Sequence, residues 1–299
     1  MSDLTYFIPA ERGIIGLSGA DAGALLQGIV SNDMARVGAE RAVYAALLTP
    51  QGKFLHDFLV SRVDQVFYLD CEAARLADLR KRLLMYRLRA DVAIAAPAEG
   101  MAVAVMPGAG ALGALDLPAE AGAARPLQGG VAYVDPRLAG LGARAILPVG
   151  SAAQALEVLG FAATDGGSYD AFRLRLGIPD GGRDMPVEKA TLLESNFEEL
   201  NGVDWNKGCY VGQEVTARMH YRGLIRKRLL PVAIDGPTPG PETPVMYGER
   251  EAGEMRSATN GRGLALLKLA LVEEAAKAGE ALTAGEARLT PEKPEWAEF

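Results

Sequence analysis

The sequence predicts an α+β protein that closes with a small β-barrel, and three features predict it. Apolar runs of strand length recur along the first half of the chain, with turn residues between them. One long amphipathic helix interrupts these runs at about residues 71–90. Beyond the stretch Asp235-Gly236-Pro237-Thr238-Pro239-Gly240-Pro241, the chain breaks into short strands whose lengths and turn spacing suit a barrel. The 299 residues, 49% of them hydrophobic, are enough for a substantial core, and the length suggests about two domains.

In chain order, residues 4–8 and 14–17 read as short strands. A helix then starts at Ser18 or Asp21, buries Leu25, Leu26 and Ile29, and stops near Ser31-Asn32-Asp33. Residues 43–48 and 54–60 are strands joined by the turn Thr49-Pro50-Gln51-Gly52. Alternation sets His56 and Phe58 on one face of the second strand and Leu55, Asp57 and Leu59 on the other. Asp57 therefore falls among apolar neighbours. A carboxylate there needs either a donor beside it or a ligand to face. His56 reads as a packing or surface histidine.

Residues 66–70 are a strand, and Cys71 opens the long helix. Leu76, Leu79, Leu83 and Tyr86 form its buried stripe, and Arg and Lys fill a solvated face. Short strands at 90–95 and 102–106 complete a small α+β subdomain. Residues 107–130, rich in Gly, Ala and Pro, read as a surface connection. Strands at 132–134 and 144–147, a helix at 151–159 capped by Ser151 and a helix at 169–176 follow. Gly177 and Pro179 stop the last of these. Residues 191–200 read as a short helix. After the strand at 229–234, further strands are expected near 245–247, 253–258, 263–271 and 287–290, then a loose tail.

Composition excludes several classes. A net charge of −7 and a pI near 5.1 argue against a sequence-independent grip on nucleic acid. The best local basic patch is 218–228, with five Arg or Lys residues and His220. Two cysteines, Cys71 and Cys209, and two histidines, His56 and His220, are too few for a disulfide framework or for a self-contained zinc or iron–sulfur site. A site shared with a partner or a second copy stays open. Residues 1–9 lack the basic start and apolar run of a signal peptide, and no stretch is apolar for long enough to span a membrane. Those observations lead to the expectation of a cytoplasmic protein with reduced thiols.

The most distinctive stretch is Lys207-Gly208-Cys209-Tyr210-Val211-Gly212-Gln213-Glu214. The two glycines suggest a tight bend that holds Cys209 outward. Lys207 then lies near enough to favour a thiolate, and exposed backbone N–H groups would act in the same direction. Gln213 and Glu214 offer an amide and a carboxylate as the chain leaves the turn. The same residues also fit a glycine-rich loop around a buried, inert cysteine.

This eight-residue motif resembles the signature of the YgfZ family of folate-binding proteins, relatives of the glycine cleavage T protein (aminomethyltransferase) that support iron–sulfur cluster assembly or repair. The run Thr216-Ala217-Arg218, Tyr221-Arg222-Gly223 and Arg226-Lys227-Arg228, the segment Arg173-x-x-x-Gly177-Ile178-Pro179 and the segment Met185-Pro186-Val187-Glu188 are similar to the family as well. The resemblance covers nearly the whole chain. It implies a T-protein-like three-part α+β fold around a central folate site. Residues 1–225 would form the folate-binding region, with subdomains at roughly 1–48 with 131–225 and at 49–130, and residues 226–299 would form the barrel. It also implies tetrahydrofolate or a related reduced folate as cofactor, with Asp57, Arg173, Glu188, Gln213, Glu214 and Arg226 as candidate contacts. Arg175 stands where the T protein usually has Glu. That departure argues against glycine-cleavage chemistry.

Three functions compete. In the first, a folate-binding accessory protein serves iron–sulfur carrier or client proteins, with Cys209 as the functional thiolate and Lys207 tuning it. In the second, a folate-dependent aminomethyl or one-carbon transferase uses Asp57 to steer folate, which leaves the Cys209 turn unexplained. In the third, the basic run 218–228 binds RNA or a partner, against the acidic total.

Overall fold

The computed structural model describes residues 4–299 and divides into two compact units. Residues 1–3, where the reading of 1–9 as no signal peptide begins, lie outside the described residues. The first unit holds the chain up to Pro50, Leu55–Gly167 and Leu200–Gln213; the second holds Gln51–Phe54, Ser168–Glu199 and Glu214–Phe299.

The first unit runs β1 (Thr5–Tyr6), β2 (Arg12–Ser18), α1 (Ala22–Ile29), β3 (Val43–Leu48), β4 (Phe54–Val63), β5 (Val66–Glu72), α2 (Leu76–Arg87), β6 (Ala93–Ala95), β7 (Met101–Pro107), α3 (Gly110–Ala114), β8 (Ala124–Leu127), β9 (Gly130–Val134), β10 (Gly142–Pro148), α4 (Ala152–Glu157) and β11 (Ala162–Ala163). One sheet has the order β3-β4-β5-β2-β6, a second has β7-β10-β9-β8, and β1 pairs with β11 in parallel. Every residue of β3 and the first eight of β4 are buried. Both faces of these strands are covered, so alternation along β4 does not separate solvent from core. His56 and Asp57 are buried alike. Cys71 lies inside β5, not at a helix start, and its Sγ donates to the Gly13 carbonyl at 3.4 Å. The stretch 107–130 is more ordered than its composition predicts: it carries α3 and β8.

Burying this much polar side chain requires pairing, and the first unit supplies it as a chain of alternating charges. Arg12 Nε donates to Asp70 Oδ1 (2.6 Å) and Arg144 Nη1 to Asp70 Oδ2 (2.8 Å). Arg144 Nε reaches Asp135 Oδ2 (3.0 Å), which also accepts from Arg137 Nη2 (2.7 Å). The Arg137 guanidinium lies 5.8 Å from the centre of the Tyr44 ring, and Tyr44 Oη donates to Asp57 Oδ2 (2.9 Å). Three arginines thus balance three aspartates. The pairs tie β2 and β5 of one sheet to β10 and the β9–β10 connection of the other.

The second unit runs α5 (Tyr169–Arg175), α6 (Gly181–Asp184), α7 (Gln213–Tyr221, whose first residue belongs to the first unit), β12 (Lys227–Asp235), β13 (Pro244–Tyr247), β14 (Arg250–Thr259), β15 (Arg262–Lys268), α8 (Leu269–Ala278), β16 (Leu282–Ala284) and β17 (Ala287–Pro291). Its six strands close into a barrel of order β12-β15-β14-β13-β16-β17 around Leu230, Val232, Val245, Met255, Leu267 and Leu289. The sequence reading runs β15 on to residue 271 and misses α8, because no turn residue separates strand from helix. Residues 191–200 form successive turns rather than a helix, and Asn196 sits at φ 61°. Its side chain instead donates to the Leu229 carbonyl at 2.7 Å.

Two predictions follow from the buried charges. Arg144→Leu leaves two buried carboxylates short of a partner and lowers stability by about 3–5 kcal/mol in urea unfolding. Acid acts in two windows. Burial, with Arg75 adding to it and Asp78 opposing, pushes the His56 imidazole down to about 4. Between about pH 6.5 and 4 the unfolded chain takes up a proton that the folded one refuses, so stability falls with pH. Burial alone would raise the Asp135 carboxyl, but Arg137 and Arg144 outweigh it and hold it at about 2. Its contribution, present above the ordinary aspartate range, is lost as pH falls towards 2. His56→Gln abolishes the first window in a pH series of thermal melts and leaves the second.

Candidate functional site

Segment 200–213 is stitched onto the end of α1 and the turn after it. Ser31 Oγ donates to the Gly202 carbonyl (2.6 Å) and accepts from Ala46 N (2.8 Å). Asn32 Nδ2 donates to the carbonyls of Tyr44 and Asn201, each at 2.7 Å. Asp204 N donates to the Ser31 carbonyl and Val211 N to that of Gly28. Asp204 Oδ1 accepts from Asn206 N (2.8 Å) and Lys207 N (3.0 Å), an Asx turn that fixes the start of the motif.

Lys207 closes the stitch. Its Nζ donates to the carbonyls of Gln27 (2.9 Å), Val30 (2.6 Å) and Asn32 (2.9 Å). An ammonium has three donors, and all three are used. A cation at the C-terminal end of α1 also meets the negative end of the helix dipole. Burial pushes the Lys207 ammonium down to about 8, with Asp33 and Asp204 opposing. With all three hydrogens on main-chain carbonyls, Lys207 has no N–H left for a hydrogen bond to the sulfur; what it holds directly is main chain.

The result is a short exposed tip between two buried anchors. Lys207 and Tyr210 are buried, and Gly208 and Cys209 are exposed. The buried, inert reading of Cys209 is excluded. Of the two glycines, Gly212 takes φ +80°, the left-handed region that favours glycine. Gly208 is not at positive φ, and a Cβ there would meet nothing within 4 Å. Its bareness leaves the flank of Cys209 open. Gln213 is structural: its Oε1 accepts from Tyr210 N (3.3 Å), and its own N–H returns to the Tyr210 carbonyl. Cys71 offers no second thiolate, since burial pushes it up to about 12.

The other sequence candidates divide between the two units. Asp57 belongs to the first unit; Arg173, Glu188, Glu214 and Arg226 belong to the second. Arg173 is buried and bonds its neighbours through two of its nitrogens: Nε on Asp170 (2.6 Å), Nη1 on Asp184 (2.6 Å) and on the Ile178 carbonyl (3.0 Å). Asp184 in turn accepts from Ser257 N of β14 (3.0 Å). This pair ties α5 and α6 to the barrel, while the Nη2 of Arg173 is buried with no hydrogen-bond partner among the described residues. Glu188, Glu214 and Arg226 are exposed. Glu188 sits at φ 61° with its N–H on the Phe54 carbonyl. A cavity of about 190 Å³ in the second unit is lined by Lys189, Glu194, Lys227 and Arg256 among others. Sequence reasoning missed Tyr44 and Arg137 beside Asp57; the one signal was a tyrosine within the wholly apolar run 43–48.

Comparison with known proteins decides the family. The human protein named iron–sulfur cluster assembly factor IBA57, mitochondrial, is 36% identical over 276 residues, covering 86% of this chain and 75% of its own length. The chain belongs to the IBA57 family of iron–sulfur cluster assembly factors. The mouse IBA57 protein agrees, at 33% identity over 287 residues, 88% of this chain and 77% of its own. The family model for the CAF17 C-terminal beta-barrel domain matches residues 226–299. The crystal structure of glycine cleavage system aminomethyltransferase T from Bartonella henselae superposes with a TM-score of 0.79 over 99% of this chain and 87% of that one, at 17% identity. The T-protein-like fold with a terminal barrel is thereby established. The cytoplasmic expectation is corrected, because the IBA57 relatives are named mitochondrial proteins. The Cys209 turn is thus the exposed tip of an IBA57-family chain.

Two substitutions separate anchoring from presentation. Lys207→Met strands three carbonyls, and hydrogen exchange should rise across 201–212 and around 27–32, with a loss of about 1–3 kcal/mol. Gly208→Ala should leave stability unchanged, whereas Gly212→Ala costs roughly 1 kcal/mol in the same unfolding assay.

Proposed function

We propose that this chain serves iron–sulfur cluster assembly through Cys209, which supplies one thiolate to a cluster whose remaining ligands come from a carrier or client protein. The observation that carries this is the solvent-exposed Cys209, set between the anchors Lys207 and Tyr210 while the chain's other cysteine is buried. Clusters need several thiolate or imidazole ligands. Among the described residues no three His, Cys, Asp or Glu side chains group as metal ligands. One thiolate is therefore the chain's share, and the cluster is cargo. Binding deprotonates the thiol, so acquisition releases a proton. The bare backbone at Gly208 lets a partner approach the sulfur closely. Beyond the tip the chain enters α7, where Arg218, Tyr221 and Arg222 are exposed, a residue mix suited to protein contact.

A reduced folate is the second reading, and Asp57 supports it. This buried carboxylate on β4 gives one oxygen to Tyr44 Oη at 2.9 Å. The carried-over residue set fits a folate only in part. Arg173 is buried and paired with Asp170 and Asp184, whereas Arg226 is an exposed cation for a glutamate tail and Glu188 an exposed carboxylate. Transferase turnover has no comparable support.

The test is complementation in cells that lack the endogenous protein. Cys209→Ser should fail to restore cluster-dependent enzyme activity, and Cys71→Ser should restore it. Full rescue by Cys209→Ser would remove the thiolate reading. Asp57→Asn should abolish tetrahydrofolate binding in calorimetry, whereas Cys209→Ser should retain it.

A further inference from the structure

The C-terminal end of α2 is a strongly basic part of an acidic molecule, separate from the basic run 218–228. Between residues 75 and 89 the chain carries six Arg or Lys residues and one acid, Asp78, within a total of −7. Asp78 is engaged by His56 and Arg82, each at 2.8 Å. No side-chain hydrogen bond or ion pair within the described residues involves Arg80, Lys81, Arg87 or Arg89; Arg80, Lys81 and Arg89 are exposed and Arg87 is half-buried, all four uncompensated. Two large aliphatic side chains stand among them: Met85 is 66% exposed and Leu88 85%. Lys81 and Met85, four residues apart, share one face of the helix, and Leu88 stands at its end. Leu88 ends the helix at φ 45°, ψ −108°, a conformation costly for a non-glycine residue. The chain thus holds its most exposed leucine on a strained tip ringed by arginines.

We propose that this tip docks peripherally on an anionic lipid surface, with Leu88 and Met85 entering the headgroup region and Arg80, Lys81, Arg87 and Arg89 meeting the lipid phosphates. Charge complementarity selects an anionic occupant, and each cation adds roughly 1 kcal/mol near such a surface. The apolar part selects lipid over an acidic protein. It is aliphatic and largely exposed, and the exposed residues lack the Tyr and Trp anchors of protein hot spots. No helix among the described residues is long and apolar enough to cross a membrane, and docking here needs none. The proposal does not depend on the role of Cys209.

The experiment is sedimentation of the full chain with vesicles of phosphatidylcholine alone or mixed with phosphatidylglycerol. Binding should require phosphatidylglycerol and weaken steeply with added salt. Lys81→Glu and Leu88→Glu should each lower the partition coefficient by about tenfold or more. Both sites are exposed, so circular dichroism and melting should not change. Leu88→Phe should retain binding. No binding to phosphatidylglycerol vesicles at low salt would overturn the proposal. So would binding that Leu88→Glu leaves intact, or equal capture by soluble polyglutamate that is insensitive to Leu88→Glu, which would point to an acidic protein.

Discussion

An ammonium group shared among three main-chain carbonyls holds the Cys209 turn in place. Lys207 reaches back 175 to 180 positions, to Asn32, Val30 and Gln27. Carbonyls past a helix end have no intrahelical donor, and leaving them buried and unpaired costs free energy. Here one side chain satisfies three of them, at the helix end where positive charge is favoured. The two residues that follow Lys207 can then stay in water, because Tyr210 and Gln213 re-anchor the chain immediately afterwards. An exposed tip is obtained from a well-anchored base.

The buried charges of the first unit follow a related logic. Arg12, Asp70, Arg144, Asp135 and Arg137 form an uninterrupted sequence of ion pairs, and Tyr44 carries the polar line to Asp57. Each carboxylate is bonded to a neighbour, so burial is tolerated at little net charge. Such a network adds modest net stability over an apolar core but penalises any rearrangement that strands one member. It fixes how the two sheets of that unit meet. Asp57 thereby sits at the end of a rigid polar line rather than as an isolated carboxylate.

Much of the fold was legible because its strands and α2 carry strong local patterns. The barrel strands, the helix at 169–175 and its glycine stop, and the hairpin around residues 49–52 all follow from neighbouring residues. The failures have local causes too. The step from β15 into α8 has no punctuation, and Asn196 in the left-handed region breaks what reads as a helix. At the site, the motif around Cys209 was visible, and its exposure agrees with the expected bend. The role of Lys207 was not visible, because its partners are backbone atoms far away in sequence. The pairing of Arg173 was not visible either: its three acceptors, on Asp170, Ile178 and Asp184, come together only when α5, the stop after it and α6 fold together.

The measurement closest to the centre of this account is visible circular dichroism during titration of an iron–sulfur carrier protein, loaded with its cluster, by this chain. A shared cluster with Cys209 as one ligand should give a new spectrum that saturates at a fixed stoichiometry, that Cys209→Ser abolishes, and that Lys207→Met weakens. A carrier spectrum unchanged by the wild-type chain, or changed equally by Cys209→Ser, would contradict the thiolate role at the heart of the account.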